Sequence, residues 1–132
     1  MSDNDSKSKL IGYWVATALI CLQMTGGAIA ELLRVEDMLT TFDHLGYPTY
    51  LLTILGVAKL LSVPALLAPG FARLKEWAYA GITFDLLGAS ASHSAVKDAI
   101  PDIAVPLVML TIALTSYALR PDSRRLASSL SN

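Results

Sequence analysis

The sequence predicts an all-α protein, a bundle of four transmembrane helices that run alternately up and down with both termini in the cytoplasm. Four apolar runs are each long enough to cross a bilayer, because about 20 helical residues cover its ~30 Å hydrocarbon core. Only 16% of the 132 residues are charged and the mean hydropathy is +0.53, whereas soluble domains have about 25% charged residues. The basic residues also collect on one side of the predicted bundle.

The transmembrane domain is predicted over residues 10–120, with helices at about 10–33, 48–69, 76–96 and 103–119 and flexible polar tails at 1–9 and 121–132. The second helix begins at Pro48, a favoured first helical position. It ends at Pro69-Gly70, a strong helix terminator. The third run contains Asp85 and His93, and the fourth contains no charged residue.

Basic residues set the predicted orientation. Seven of them lie in the two tails and the second loop: Lys7, Lys9, Arg73, Lys75, Arg120, Arg124 and Arg125. The first and third loops have one each, Arg34 and Lys97. Because cytoplasmic loops are enriched in Lys and Arg, both termini are expected in the cytoplasm. An even number of spans agrees with this orientation.

A cleaved signal peptide is the alternative for the first helix. Lys7 and Lys9 precede an apolar stretch, and residues 28–30 (Ala-Ile-Ala) resemble an A-x-A cleavage site. The apolar run is longer than the usual 7–15 residues, however, and the preceding segment also carries Asp3 and Asp5. We therefore expect the first helix to be retained.

Lys59 and Asp85 are the most informative residues of the chain. Each is the only Asp, Glu, Lys or Arg in its apolar run, and their charges are opposite. A charge at the centre of a membrane helix costs on the order of 2.5–3.5 kcal/mol on insertion scales and usually faces a partner. Lys59 lies about 16 Å from either end of its run, beyond the reach of its side chain to water. We therefore predict a buried Lys59–Asp85 ion pair at mid-membrane.

Two interpretations of this pair remain open. It could fix helix packing and register, with Gln23 hydrogen-bonded to it. Alternatively, it could form the polar floor of a pocket for a lipophilic or quinone-like molecule, because buried charged pairs are suited to proton exchange.

Small and polar residues follow one face of the third helix at the spacing i, i+4, i+7 and i+11: Gly81, Asp85, Gly88 and Ser92. The first helix has a similar face at Gln23, Gly27 and Glu31. Small residues permit either close helix packing or room for a ligand. The candidate ligand-binding residues are therefore Gln23, Gly27, Gly81, Gly88 and Ser92.

A second polar group is predicted near the outer surface. Glu31 and His93 end their helices there, with His44 and Tyr47 in the first loop. Glu31 and His93 could form an acid–base pair or simply contact lipid headgroups. The candidate catalytic residues are Asp85, Lys59, Glu31 and His93. The two histidines lack the spacing of zinc motifs, so no metal site is predicted.

Several function classes are disfavoured by what the sequence lacks. Its single cysteine, Cys21, allows neither an internal disulfide nor a C-x-x-C redox pair. The net charge of −1 gives no indication of nucleic-acid binding. No Walker A, G-x-G-x-x-G, haem-attachment or G-x-S-x-G motif is present. No cofactor is therefore evident. A quinone or another lipophilic molecule is the ligand that the sequence leaves open.

Six segments resemble the DoxX-like family. They are 46–52 (GYPTYLL), 55–61 (LGVAKLL) and 66–71 (LLAPGF) in the second helix, and 74–81 (LKEWAYAG), 84–86 (FDL) and 91–93 (ASH) in the third. The resemblance implies a small four-helix protein of the bacterial cytoplasmic (inner) membrane. The wider group includes a small membrane subunit associated with thiosulfate:quinone oxidoreductase. Lys59, Asp85 and His93 match the polar positions of the family signature.

Two functions follow as expectations. The first is an accessory or quinone-facing subunit of a membrane redox system, with the lipid bilayer, a redox partner subunit and a second copy of the chain as candidate partners. The second is a self-contained membrane enzyme that performs isomerisation or epoxide opening on a lipophilic molecule. In that enzyme Asp85 or Glu31 would be the acid–base group and Lys59 the electrostatic stabiliser.

Overall fold

The computed structural model describes residues 3–126, and this part of the chain is all-α, as predicted. The helices are α1 (Asp3–Leu32), α2 (Glu36–Leu45), α3 (Tyr50–Leu67), α4 (Ala72–Ala95) and α5 (Ile100–Ala118), followed by a 3-10 turn at Asp122–Arg124. No strand occurs among these residues. The last part of the predicted C-terminal tail, residues 127–132, lies outside the described residues.

Three helices, α1, α3 and α5, are long and apolar enough to cross a membrane. The sequence predicted four. The additional helix in that prediction is α4, which has 24 residues and is therefore about 36 Å long. It is long enough, but Asp85, His93 and its serines make it less apolar than the other three.

The N-terminal end of α1 differs from the prediction. Residues 3–9 were expected to form a polar tail, but the helix begins at Asp3 and continues without a break to Leu32. Asp3 and Asp5 lie in its first turn, where carboxylates interact favourably with the unpaired backbone N–H groups of a helix N-terminus. A polar sequence therefore extends the apolar helix instead of ending it.

The predicted first loop contains a helix, α2. Its apolar residues Met38, Phe42 and Leu45 recur at i, i+4 and i+7, the spacing of one helical face. The helix ends at Gly46, whose φ of 82° lies in the left-handed region that glycine adopts without strain. The turn predicted at Gly46 is therefore the end of a short amphipathic helix.

The helices pack in unequal pairs. α1 packs most extensively against α3, and α4 packs against α5, whereas α3 and α4 contact each other only lightly. The α1–α3 contact is close at Gly56, where an added Cβ would lie 2.7 Å from Leu32 Cγ and 3.3 Å from the carbonyl oxygen of Ala28. A side chain at position 56 would therefore crowd this crossing and force Leu32 to shift. The wide separation of α3 from α4 leaves the space described below.

Buried hydrogen bonds connect α1, α4 and α5. The hydroxyl of Ser116 lies 2.6 Å from the Thr17 hydroxyl and 2.7 Å from the Tyr79 hydroxyl. Arg124 donates to the carbonyl oxygens of Leu66 and Leu67 at 2.9 and 3.2 Å. The last carbonyls of a helix have no partner within it, so Arg124 satisfies the end of α3 and fastens the chain after α5 to it.

Candidate functional site

Lys59 lies between two carboxylates in the interior of the bundle. Its Nζ is 2.5 Å from Glu31 Oε1 and 3.6 Å from Asp85 Oδ2. The three side chains, on α3, α1 and α4, are 13%, 4% and 18% exposed. We call Glu31, Lys59 and Asp85 the charged triad. The residues predicted to pair are thus near each other, but Glu31 is the closer partner of Lys59.

The close approach of α3 to α1 helps Lys59 to reach Glu31. Gly56, one turn before Lys59, lets α3 approach α1 closely. Gly27, one turn before Glu31, faces the lysine, because a Cβ added there would lie in ordinary contact with Lys59 Nζ, at 3.5 Å. Residues at i and i+4 lie on one face of a helix. The face shared by Gln23, Gly27 and Glu31 is therefore turned toward α3.

The triad contains two carboxyl groups for one ammonium, and part of its hydrogen-bonding capacity is unused. Glu31 Oε2 is buried and has no hydrogen-bond partner among the residues that the structure describes. The same holds for Gln23 Oε1 on the same helix face. A carboxylate accepts hydrogen bonds on both oxygens. Glu31 can therefore bind a donor in addition to Lys59.

A cavity of about 500 Å³ lies between α3 and α4. We call it the apolar cavity, because its charged lining residues are Lys59 and Asp85 and nearly all of the others are apolar, including Leu61, Trp77 and Phe84. Trp77 and Phe84 are each 73% exposed. The cavity therefore opens sideways between the two helices, with the charged residues at its end.

A second cavity of about 330 Å³ lies on the other side of Lys59 and Asp85. We call it the roofed cavity, because α2 covers it with Thr41, Phe42 and Leu45. Besides Thr41, its polar lining residues are Gln23, Glu31, Lys59, Asp85, Tyr47, Ser92 and His93. Leu55, Lys59, Phe84 and Asp85 line both cavities. Part of the charged triad therefore stands in the wall that separates an apolar space from a more polar one.

Asp98 connects α2 to the end of α4. His44 Nε2 donates to Asp98 Oδ1 at 2.6 Å, and His93 Nδ1 donates to Asp98 Oδ2 at 2.6 Å. These hydrogen bonds, from His93 and then His44, hold the pKa of the Asp98 carboxyl below its usual range. The Tyr47 hydroxyl also contacts the Ser92 hydroxyl. Together these contacts hold the roof over the cavity.

The contacts of Glu31 and His93 differ from the suggested acid–base pair. Glu31 bonds to Lys59, whereas His93 bonds to Asp98. The reason is geometric: the Glu31 face of α1 packs on α3, and His93 lies beside the loop that contains Asp98. Both side chains nevertheless line the roofed cavity.

The candidate ligand-binding residues all lie around the triad. Gln23, Gly88 and Ser92 line the roofed cavity, and Gly81 lines the apolar cavity. Gly27 faces the Lys59 ammonium.

Sequence reasoning did not find Thr41, Phe42 or Asp98 as parts of the site. The apolar spacing of α2 was the available signal for Thr41 and Phe42, since it predicts a helix with one buried face. For Asp98, the only signal was its position five residues after His93.

Within residues 3–126, no group of three or more His, Cys, Asp or Glu side chains could hold a metal ion. Cys21 is buried in the core beside Ile20 and Met24. The charged triad, Gln23 and Asp98 with its partners His44 and His93 are the main polar groups near the two cavities.

The sequence pattern that defines the DoxX-like family matches residues 15–116. The chain belongs to the DoxX-like family. The matched segment begins in α1, ends in α5 and contains the triad and all residues that line the two cavities. No curated protein and no solved structure matches the chain. Family membership and the three apolar helices indicate an integral membrane protein.

Proposed function

We propose that this DoxX-like protein binds a lipophilic, quinone-like molecule in the membrane, as an accessory or quinone-facing subunit of a membrane redox system. The observation that carries the proposal is the apolar cavity between α3 and α4, whose end is formed by Lys59 and Asp85. Ligand pockets for such molecules are mostly apolar with a few placed polar groups. The lipid bilayer and a redox partner subunit are the partners that this function requires.

The proposal includes four spans, with both termini in the cytoplasm of a bacterial inner membrane. Short connections join α4 to its neighbours: residues 68–71 link α3 to α4, and residues 96–99 link α4 to α5. Because α4 is about 36 Å long and buries Ile82 and Leu86 in the bundle core, it lies alongside the apolar helices and returns the chain across the bilayer. The uneven distribution of basic residues supports the same orientation.

The cavity has the chemistry that a quinone-like headgroup needs. A ring carbonyl would accept a hydrogen bond from the Lys59 ammonium, which has three N–H donors. Asp85, on the opposite helix, is placed to exchange a proton with a neighbouring hydroxyl. The apolar tail would leave through the opening beside Trp77 and Phe84, so that it remains in the lipid.

Tryptophan fluorescence tests this proposal directly. The chain has two tryptophans, and Trp77 lines the apolar cavity whereas Trp14 lines neither cavity. In a Trp14→Phe background, short-chain ubiquinone and menaquinone analogues are titrated into the purified protein in detergent. Bound quinone should quench Trp77 with saturation.

Two glycines provide a matched pair of variants for that titration. A Cβ at Gly81 or at Gly26 would meet nothing within 4 Å, so both tolerate a larger side chain. Gly81 lines the apolar cavity and Gly26 does not. Gly81→Leu should weaken saturable quenching at least tenfold, and Gly26→Leu should leave it unchanged. Equal binding by both variants would remove the cavity from the proposal.

A membrane enzyme is the second candidate, favoured by the position of Glu31. The second carboxylate beside Lys59 retains an unpartnered oxygen, as a general acid or base requires. The purified protein would be incubated alone with a lipophilic epoxide or a β,γ-unsaturated ketone, and products separated by chromatography. Turnover that falls at least 100-fold in Glu31→Gln or Asp85→Asn would favour the enzyme. Quinone binding without any turnover would favour the subunit.

A further inference from the structure

We propose that the roofed cavity is a separate binding site for a small organic monocation, a protonated primary amine. This site lies on the α2 side of the triad and takes a ligand of different chemistry from the one assigned to the apolar cavity. It therefore goes beyond the proposed function.

The charges around the roofed cavity favour a cation as its ligand. The carboxyl groups that line the roofed cavity belong to Glu31 and Asp85, and the one lysine or arginine in its lining is Lys59. His93 is already hydrogen-bonded to Asp98. A buried carboxylate without a compensating charge is costly. One additional positive charge in this cavity would balance the triad.

Two buried hydrogen-bonding atoms beside the roofed cavity have no partner among the described residues. Glu31 Oε2 and Gln23 Oε1 are both acceptors, and both are buried without a donor among the described residues. Glu31 as a whole is only 3% exposed, and both residues line the cavity. A ligand that satisfied both acceptors would donate at least two hydrogen bonds. A primary ammonium group donates three.

The aromatic residues around the roofed cavity favour an organic cation. Phe42, Tyr47 and Phe84 line the roofed cavity, and the rings of Phe42 and Tyr47 lie 5.9 Å apart at an angle of 56°. Aromatic faces attract organic cations, whereas inorganic cations such as Ca²⁺ or Mg²⁺ require a shell of oxygen ligands. The volume of about 330 Å³ is within the range of small-molecule pockets. Aromatic rings beside free acceptors thus favour an amine over a metal ion.

The experiment compares a cation with a neutral molecule of the same shape. Benzylammonium, butylammonium and benzyl alcohol are titrated calorimetrically at neutral pH into the full chain in detergent. At least one ammonium should bind, and benzyl alcohol should bind at least tenfold more weakly than benzylammonium. Glu31→Gln should weaken ammonium binding at least tenfold. Asp43→Asn, which removes a carboxylate of α2 that lines neither cavity, should not change it.

Glycine variants keep the test decisive if Glu31→Gln does not fold. Gly88 lines the roofed cavity, and a Cβ there would meet nothing within 4 Å. A leucine at this position would fill the roofed cavity, so Gly88→Leu should abolish ammonium binding. Gly81→Leu, in the apolar cavity, and Gly26→Leu, outside both cavities, should not. Failure of quinone binding would not affect this result, because the two cavities are blocked by different variants.

Four results would overturn the proposal. They are no binding of either ammonium, equal binding of benzyl alcohol, retention of ammonium binding in Gly88→Leu, and displacement of the ammonium by equimolar Na⁺. The last result would assign the free acceptors to an inorganic cation. The first would mean that a proton on one of the carboxyl groups already balances the triad.

Discussion

Lys59 contacts Glu31 across the α1–α3 interface at 2.5 Å, which is closer than the 3.6 Å between Lys59 and Asp85. The lysine therefore joins the tightly packed pair of helices and reaches across the open side of the bundle toward α4. This position makes it both a part of the helix packing and a wall of both cavities. Substitution of Lys59 should therefore affect both the stability of the protein and ligand binding.

Removal of the lysine charge should destabilise the protein. In Lys59→Met, two buried carboxyl groups lose their counter-charge, and breaking a buried ion pair in this way costs about 3–5 kcal/mol. Arg73→Met is the control, because Arg73 is exposed on α4. Thermal unfolding in detergent, followed by circular dichroism, should show a clear loss for the first variant only. Similar melting of both variants would contradict a charge-stabilised triad.

Lys59 is closer to Glu31 than to Asp85, and double-mutant cycles should show this as a difference in interaction energy. One cycle combines Glu31→Gln with Lys59→Met, and the other combines Asp85→Asn with Lys59→Met. Interaction energies of residues in contact are about 0.5–3 kcal/mol, and we expect the Glu31–Lys59 value to be the larger. Unfolding free energies from denaturant titration provide the comparison. A larger Asp85–Lys59 value would reverse the order given by the distances.

The close approach of α1 and α3 should depend on Gly56. A valine there would clash with Leu32 and the backbone of Ala28, and overpacking of this kind costs about 1–3 kcal/mol. Gly26→Val is the matched control, since a Cβ at Gly26 meets nothing within 4 Å. The melting temperature should fall for Gly56→Val alone. An equal effect of both variants would mean that helix propensity, not contact, is responsible.

The roof formed by α2 should loosen when Asp98 loses its charge. Because hydrogen bonds from His93 and His44 lower the pKa of Asp98 in the folded protein, its contribution is present above the unfolded value of about 3.9. It is lost as the pH falls through the lower folded value. Hydrogen exchange of residues 36–45, corrected for intrinsic rates, should therefore accelerate at low pH.

The variant Asp98→Asn should show that faster exchange of α2 already at neutral pH. Asp102→Asn, which changes a carboxylate in the first turn of α5, should leave α2 protected. If exchange in α2 does not respond to Asp98→Asn, other contacts such as Tyr47 with Ser92 hold the roof.

The central charges could be predicted from sequence because a charged side chain inside an apolar helix needs a partner of opposite charge or contact with water. Lys59 must find a partner, and Asp85 is at a similar depth on the next helix. Glu31 was harder to recognise as the closer partner, since it stands at the end of its helix and the sequence does not show how α1 and α3 are offset. Gly56 permits the close approach of the two helices at Leu32, a residue distant in sequence.

The roof could not be predicted for a different reason. α2 has only 10 residues, and helices of this length depend on tertiary packing rather than on their own propensity. Phe42 and Leu45 line the roofed cavity, although no residue of α2 is fully buried. The Asp98 bridge to two histidines from different segments also depends on the folded arrangement.

The most direct test of the account is quinone binding by a protein whose triad is neutral. Replacing a buried ionic cluster with hydrophobic residues of similar volume is often neutral or stabilising, so Glu31→Leu/Lys59→Met/Asp85→Leu should remain folded. Quenching of Trp77 would be measured in the Trp14→Phe background beside thermal stability. The account predicts parental stability with at least a tenfold loss of quinone affinity. Parental stability with parental affinity would contradict it, because the triad would then serve packing alone.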